Sequence, residues 1–187
     1  MMQHIDVSSV LRQAVACDLY SNLVTRPTGA AVRAQIQALL GAVPRRALAV
    51  IDFTHVQMID YSCADEVVAK LLLPYTDGVA VDDSYFIFRG VSDDHWDAIE
   101  AVLERHGIAM LVEEADAGGV EPKGVLPADQ RLVWDTVRDF GSATADDVAA
   151  HLGEDHAAVA ATLASLHQQR LLMRSDGRYR VVAAPRG

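Results

Sequence analysis

The stretch "AVIDFTHVQMIDYSCADEVVAKLL", residues 49–72, decides the fold. Its opening belongs to "RALAVIDF" (46–53), a nearly continuous apolar run of strand length, the mark of a strand buried on both faces of its sheet. "VQMI" (56–59) resumes briefly as extended chain. "SCADEVVAKLLL" (62–73) then turns helical, with Val67, Val68, Leu71 and Leu72 as an apolar stripe.

The same alternation extends on both sides. Upstream, "VSSVLRQAV" (7–15) reads as an amino-terminal helix, "CDLYSNLV" (17–24) as a strand and "TGAAVRAQIQALLG" (28–41) as a helix. That second helix has Thr28 as its N-cap, Val32, Ile36 and Leu39/Leu40 on one face and Gly41 as its stop. Downstream, "SYFIFRG" (84–90) is a strand. "SDDHWDAIEAVLERHG" (92–107) is a helix capped by Ser92, with Asp93 and Asp94 in its first turn, Trp96, Ile99 and Leu103 inward and Gly107 as its stop. "IAMLVE" (108–113) is a last strand. Strands spaced by helices imply an α/β domain whose largely parallel or mixed sheet carries packed helices.

"EEADAGGVEPKG" (113–124) breaks the pattern and reads as a linker, so the expected organisation is an α/β domain over 1–115, a linker over 116–124 and a second domain over 125–187. In the second domain, "PADQRLVWDTVRDFG" (127–141) is a helix opened by Pro127, "TADDVAAHLG" (144–153) a helix capped by Thr144 and "DHAAVAATLASLHQQR" (155–170) a third, with Val159, Leu163 and Leu166 at helical spacing. "LLMRSDGRYRVV" (171–182) is a β-hairpin about Ser175-Asp176-Gly177, with Leu171, Leu172, Val181 and Val182 in its core.

Composition narrows the class. The 187 residues are 51% hydrophobic and 22% charged, ordinary globular material. The longest apolar run is far shorter than the roughly 18 residues of a membrane span, and the start lacks a secretory pattern, so the expected location is the cytoplasm with no membrane partner. Cys17 and Cys63 form no metal or redox spacing and read as small hydrophobes. The net charge of -10 belongs to the front: residues 1–123 hold 9 Lys+Arg against 18 Asp+Glu, residues 124–187 hold 7 against 8. That balance lowers the expectation of nucleic-acid binding.

Residues 15–115 resemble the STAS domain, the fold of anti-sigma-factor antagonists. In that family a buried strand leads to an Asp-Ser-Ser-Gly-type turn at a helix start, whose second serine a partner kinase phosphorylates. Here the turn is Asp60-Tyr61-Ser62-Cys63, matching at Asp60 and Ser62. A divergent STAS-like branch is closer, with an arginine before the first helix (Arg26) and "ADE" after the turn (Ala64-Asp65-Glu66). Residues 125–183 are similar in element order to a winged helix-turn-helix, a family that places its third helix in the DNA major groove and its hairpin on flanking phosphates. The resemblance implies a STAS-like mixed sheet with packed helices followed by a small winged-helix domain of three helices plus a β-hairpin. It also implies a protein partner, such as a kinase or anti-sigma-like regulator, and admits a homodimer.

The candidate regulatory face is Arg26, Thr28, Asp60, Ser62 and Asp65. Ser62 with Asp65 three residues on is a capping-box pattern, while a helix N-terminus also suits a phosphate at Ser62. Asp60, Asp65 and Glu66 already crowd that turn, which opposes further negative charge. Arg26 either neutralises Asp60 or Asp65 or holds an arriving anion. In the rear domain the third helix opens on Glu154, Asp155 and His156, facing phosphates with carboxylates, whereas Arg174, Arg178 and Arg180 surround the hairpin tip as candidate DNA contacts. His151, His156 and His167 read as surface histidines without ligand spacing, His55 lacks a nucleophile with an orienting third group, and no phosphate loop is present, so no metal, cofactor or catalytic residue is expected. Asp82-Asp83 reads as a solvated loop. The expected task is that of a non-enzymatic regulatory adaptor, with a DNA-binding transcription regulator as the alternative.

Overall fold

A computed structural model describes residues 2–16, 21–42, 48–80, 83–114 and 119–183. Five strands form one mixed sheet in the order β1 (Met2–Asp6), β3 (Leu48–Asp52), β5 (Tyr85–Arg89), β6 (Ala109–Glu113) and β7 (Val120–Gly124). The first four are parallel and β7 runs antiparallel to β6. Beside the sheet, β2 (Asn22–Leu23) and β4 (Met58–Ile59) make a two-residue parallel ribbon.

The parallel strands follow one another across the sheet in chain order, so every crossover steps the same way. Right-handed connections then place all the intervening helices on one face. Those helices are α1 (Val7–Val15), α2 (Arg26–Gly41), α3 (Tyr61–Ala64), which continues through a π-helical turn, Asp65–Ala69, into α4 (Lys70–Thr76), and α5 (Asp93–His106). Leu11, Ile36, Leu71 and Leu103 pack there against Ile51, Phe86, Phe88 and Met110. Strand alternation points Tyr85, Ile87, Ala109 and Leu111 to the opposite face.

That second face is also apolar, and a parallel sheet needs cover on both sides. α6 (Ala128–Phe140), α7 (Ala145–Leu152) and α8 (His156–Gln168) supply it: Trp134, Val137, Leu163 and Leu166 join Tyr85, Ile87, Ala109 and Leu111 in one buried cluster. Fully burying each of the aliphatic side chains larger than alanine stabilises by about 1.5–3 kcal/mol, so this contact anchors the carboxy-terminal part to the sheet. Polar contacts reinforce it. Arg131 Nη1 donates to the Pro122 carbonyl at 3.1 Å, and Gln168 Nε2 to the Thr76 carbonyl at 3.1 Å.

The linker expected over 116–124 therefore takes a different form. Residues 116–118 lie outside the described residues, but Val120–Gly124 is strand β7, paired along its length with β6. Val120 and Pro122 are buried on alternate positions, a period the Gly- and Pro-containing composition concealed. Pro122 sits on the outermost strand, where its missing N–H costs no ladder bond. Strand β1 was not anticipated, because Gln3, His4 and Asp6 give an edge strand a polar look. Cys17, with the first half of the strand expected over 17–24, and Asp82 lie outside the described residues.

The last segment matches its expected order of helices and hairpin. β8 (Leu172–Ser175) and β9 (Arg178–Val181) pair antiparallel across Asp176-Gly177, whose positive φ values of 51° and 76° suit a type I′ turn. Ala143 bridges to Tyr179, and Trp134 Nε1 donates to the Leu171 carbonyl at 3.1 Å. Capping by Ser92 and Thr144 is present, as is the left-handed Gly107 stop. α6, however, begins at Ala128 with Pro127 as the cap position, and Leu39 is exposed while Leu40 points inward. No helix among the described residues is long and apolar enough to cross a membrane.

Removing residues 125–187 is expected to leave a chain that precipitates or binds a hydrophobic dye, because Tyr85, Ile87 and Leu111 lose their cover. A soluble fragment of residues 1–124 with a cooperative thermal transition, followed by circular dichroism, would contradict this arrangement.

Candidate functional site

The loop before α2 and the turn before α3 lock together. Thr25, the residue ahead of α2, has a φ of 72°, a strained value for a threonine. Its backbone is held from both sides: its N–H donates to Asp60 Oδ2 at 2.8 Å, and its carbonyl accepts from Cys63 Sγ at 3.0 Å. Asp60 is the true N-cap of α3. Its Oδ1 accepts from the Cys63 N–H at 2.7 Å and from the Ser62 hydroxyl at 2.8 Å. The expected capping box of Ser62 with Asp65 does not form, because Ser62 lies inside the helix and Asp65 turns inward. Thr28 likewise does not cap. α2 starts two residues earlier at Arg26, and Thr28 Oγ1 lies 3.1 Å from Thr25 Oγ1.

Gly29 sets the distance between the helices. A Cβ there would fall 2.9 Å from the Cys63 Cα, so only a bare α-carbon lets α2 approach this closely. Arg26 and Arg33, on the same side of α2 as Gly29, are thereby laid over the π-helical turn. The wider turn accompanies seven consecutive buried residues, Cys63 to Ala69, including the adjacent carboxylates Asp65 and Glu66.

Two carboxylates buried side by side need compensation, and four basic side chains provide it. Arg26 Nη1 donates to Asp65 Oδ2 at 2.6 Å and to Glu66 Oε1 at 2.8 Å. Arg33 Nε donates to Glu66 Oε2 at 3.1 Å, and Lys70 Nζ donates to Glu66 Oε1 and lies 3.6 Å from Asp65 Oδ2. His106, from the end of α5, donates through Nε2 to Asp65 Oδ1 at 2.8 Å. The carboxylates are nearly sealed, with side chains 7% and 3% exposed, while Arg26 and Lys70 remain 45% and 39% exposed. The result is an inner negative pair under a solvent-facing cationic rim.

The titration of these groups follows from the contacts. Burial opposes ionisation of Asp65, but hydrogen bonds from Arg26 and His106 and the charge of Lys70 outweigh it and hold the carboxyl at about 2. Glu66 is also lowered, its burial overcome by Lys70, Arg26 and Arg33. Asp60 is lowered against its own burial by the Thr25 and Cys63 N–H groups and Ser62. Burial, with Asp60 nearby, pushes the Cys63 thiol up to about 12, so it is an inert packing group. Arg26 is raised by its hydrogen bonds to Asp65 and Glu66.

Arg26, Thr28, Asp60, Ser62 and Asp65 thus meet at one rim. Arg26 contacts Asp65 and not Asp60, whose oxygens are taken up by Thr25, Ser62 and Cys63. Glu66, expected to crowd the turn, lies buried beside Asp65, and Arg33, Lys70 and His106, which were not anticipated, complete the cluster. The Glu66–Lys70 spacing of four was a readable signal; the approach of His106 from α5 had none in the local sequence. Arg105 adds a hydrogen bond to the Tyr61 hydroxyl at 2.9 Å.

The hairpin arginines are less alike than their spacing suggests. Arg178 Nη2 donates to the Ser142 carbonyl at 2.9 Å and lies 3.4 Å from Asp147, Arg174 sits 5.4 Å over the Tyr179 ring, and Arg180 is exposed. Of the histidines, His151 and His156 are exposed, as is His55, but His167 is half-buried with Nδ1 donating to the Leu172 carbonyl at 3.1 Å. His95 is buried, donating from Nε2 to the Val56 carbonyl and accepting the Ser92 N–H. Among the described residues no group of three His, Cys, Asp or Glu side chains is placed to hold a metal. No family model, curated protein or solved structure matches the chain.

The Asp65 shift fixes a pH dependence. Its folded pKa is below its unfolded value, so its stabilisation, about 2 kcal/mol, is fully present above pH 4 and is lost as pH falls toward 2. Urea midpoints measured from pH 5 to pH 2 are expected to fall for the parent chain and to fall less for Asp65→Asn; parallel curves would contradict the assignment.

Proposed function

We propose that the protein is a cytoplasmic, non-enzymatic regulatory adaptor whose α/β part, read as STAS-like, binds an anionic group of a partner at the Arg26/Ser62 rim. The carboxy-terminal part, read as a winged helix, relays that state through protein contacts. The observation that carries this reading is the arrangement of charge: Arg26 and Lys70 stay exposed to solvent above Asp65 and Glu66, which are nearly sealed, in a chain of net charge -10. Those exposed cationic ends are what a phosphate or carboxylate would meet first. Asp65 and Glu66 are ionised and engaged, a poor state for proton transfer near neutral pH.

A mechanical link runs through one helix. The segment that starts at the Asp60 cap carries Asp65, Glu66 and Lys70 and ends at Thr76, whose carbonyl accepts from Gln168 of α8. An anion drawing Arg26 outward would loosen the π-helical turn, and a change of register there would reach α8 directly.

Protein contacts are favoured over DNA by the face α8 presents. Its exposed positions are His156, Ala157, Ala158, Ala161, Ala164 and Gln168, preceded by Glu154 and Asp155, which offers phosphates and base edges few donors. Arg178, the cation nearest the hairpin turn, is committed to Ser142 and Asp147. Affinity capture by the intact chain is expected to recover a protein partner, with recovery falling about tenfold for Arg26→Ala and for Ser62→Asp. Capture unchanged by both variants would contradict the reading, as would salt-sensitive duplex binding abolished by Arg174→Ala with Arg180→Ala.

A further inference from the structure

Away from the rim just described, α6 and α8 leave an open groove between them, which Leu152 of α7 also lines. Its volume is about 230 Å³ and its walls are Leu132, Val133, Leu152, Ala158 and Val159. Leu132 is 52% exposed, a large aliphatic side chain held in water by a rigid helix. Thr162, also in the wall, spends its hydroxyl on the Ala158 carbonyl at 3.1 Å, so the trough between the helices is apolar and its polar groups are the carboxylates Asp129 and Glu154. Small-molecule sites commonly enclose about 300–1,000 Å³; this groove is smaller and open to solvent. It suits aliphatic anchors projecting from a larger partner.

Charge identifies the kind of partner. Asp129 at the start of α6 and Glu154 ahead of α8 also line the groove, no Lys or Arg does, and neither carboxylate has an ion-pair partner among the described residues. Unpaired carboxylates beside an apolar trough complement a segment that carries apolar anchors with basic flanks. We infer that the α6–α8 groove is the docking surface for a basic amphipathic helix of a partner protein. The inference rests on the adaptor reading and gives its output surface a location and a partner chemistry. It also accounts for an α8 whose outer face is alanine: small side chains let a second helix lie close.

The test uses the full chain, isotopically labelled, and a synthetic helical peptide of about 18 residues, built of leucine at helical spacing and lysine elsewhere. Two controls are its Leu/Glu counterpart and a Leu/Lys peptide of identical composition with the spacing scrambled. Amide shifts on adding the Leu/Lys helix are expected to concentrate at residues 129–133 and 154–162, with binding weakened about tenfold by Leu132→Lys and by Ala158→Lys. Both positions are exposed, so the variants keep the fold, which their unchanged spectra elsewhere will report. Equal binding of the scrambled peptide, shifts spread over the acidic front, or affinity indifferent to both substitutions would overturn the groove assignment. Concentration-dependent shifts at the same residues without peptide would overturn it in favour of a second copy of this chain. These failures leave the Arg26 rim and the adaptor reading standing, because that reading fails separately, through unchanged capture by the rim variants or through duplex binding.

Discussion

A parallel sheet whose crossovers all step in one direction receives helices on a single face, and its other face must be covered by something else. In this chain the constraint shapes the whole molecule. β1, β3, β5 and β6 follow one another across the sheet, α1 to α5 lie on one side, and Tyr85, Ile87, Ala109 and Leu111 face the other. The three carboxy-terminal helices and the hairpin are that cover, with Trp134 at the centre of the shared core. They are a structural layer of the α/β unit as much as a module following it.

The same arrangement gives the cationic rim a route to the opposite side of the sheet. The rim depends on a buried acidic pair that is stable only because Arg26, Arg33, Lys70 and His106 converge on it from three helices. Gly29 and the strained Thr25 bring α2 close enough for that convergence. The segment carrying the pair then runs to Thr76 and Gln168, so the charge cluster and α8 are joined by a single rod. A site assembled from long-range contacts and ending on another layer is suited to reporting occupancy, which is why the regulatory reading is preferred to a catalytic one.

Much of the architecture was legible. The helices over 7–15, 92–107 and 155–170, the strands at 84–90 and 108–113 and the Asp-Gly hairpin all follow from period, caps and turn residues. "RALAVIDF", read as buried on both faces, already required a second covering layer, yet the Gly-, Pro- and acid-containing stretch after Glu113 pointed to a tether. The two signals conflicted, and burial prevailed: Val120 and Pro122 joined the sheet. At the rim, the meeting of Arg26 with Asp65 was foreseeable from helices beginning at the same sheet end. The capping roles of Thr28 and Ser62 were misjudged, because each hydroxyl sits inside its helix and Asp60 does the capping of α3. The π-helical turn, which carries Glu66 inward beside Asp65, left no mark in the local pattern.

The account stands on the sheet and its carboxy-terminal layer forming one cooperative body, and native-state hydrogen exchange reads this residue by residue. The slowest amides of β5 and of α8 are predicted to share one opening free energy and one denaturant dependence, those of global unfolding. Exchange of α6 to α8 through a separate, lower-energy opening that leaves β5 fully protected would contradict it.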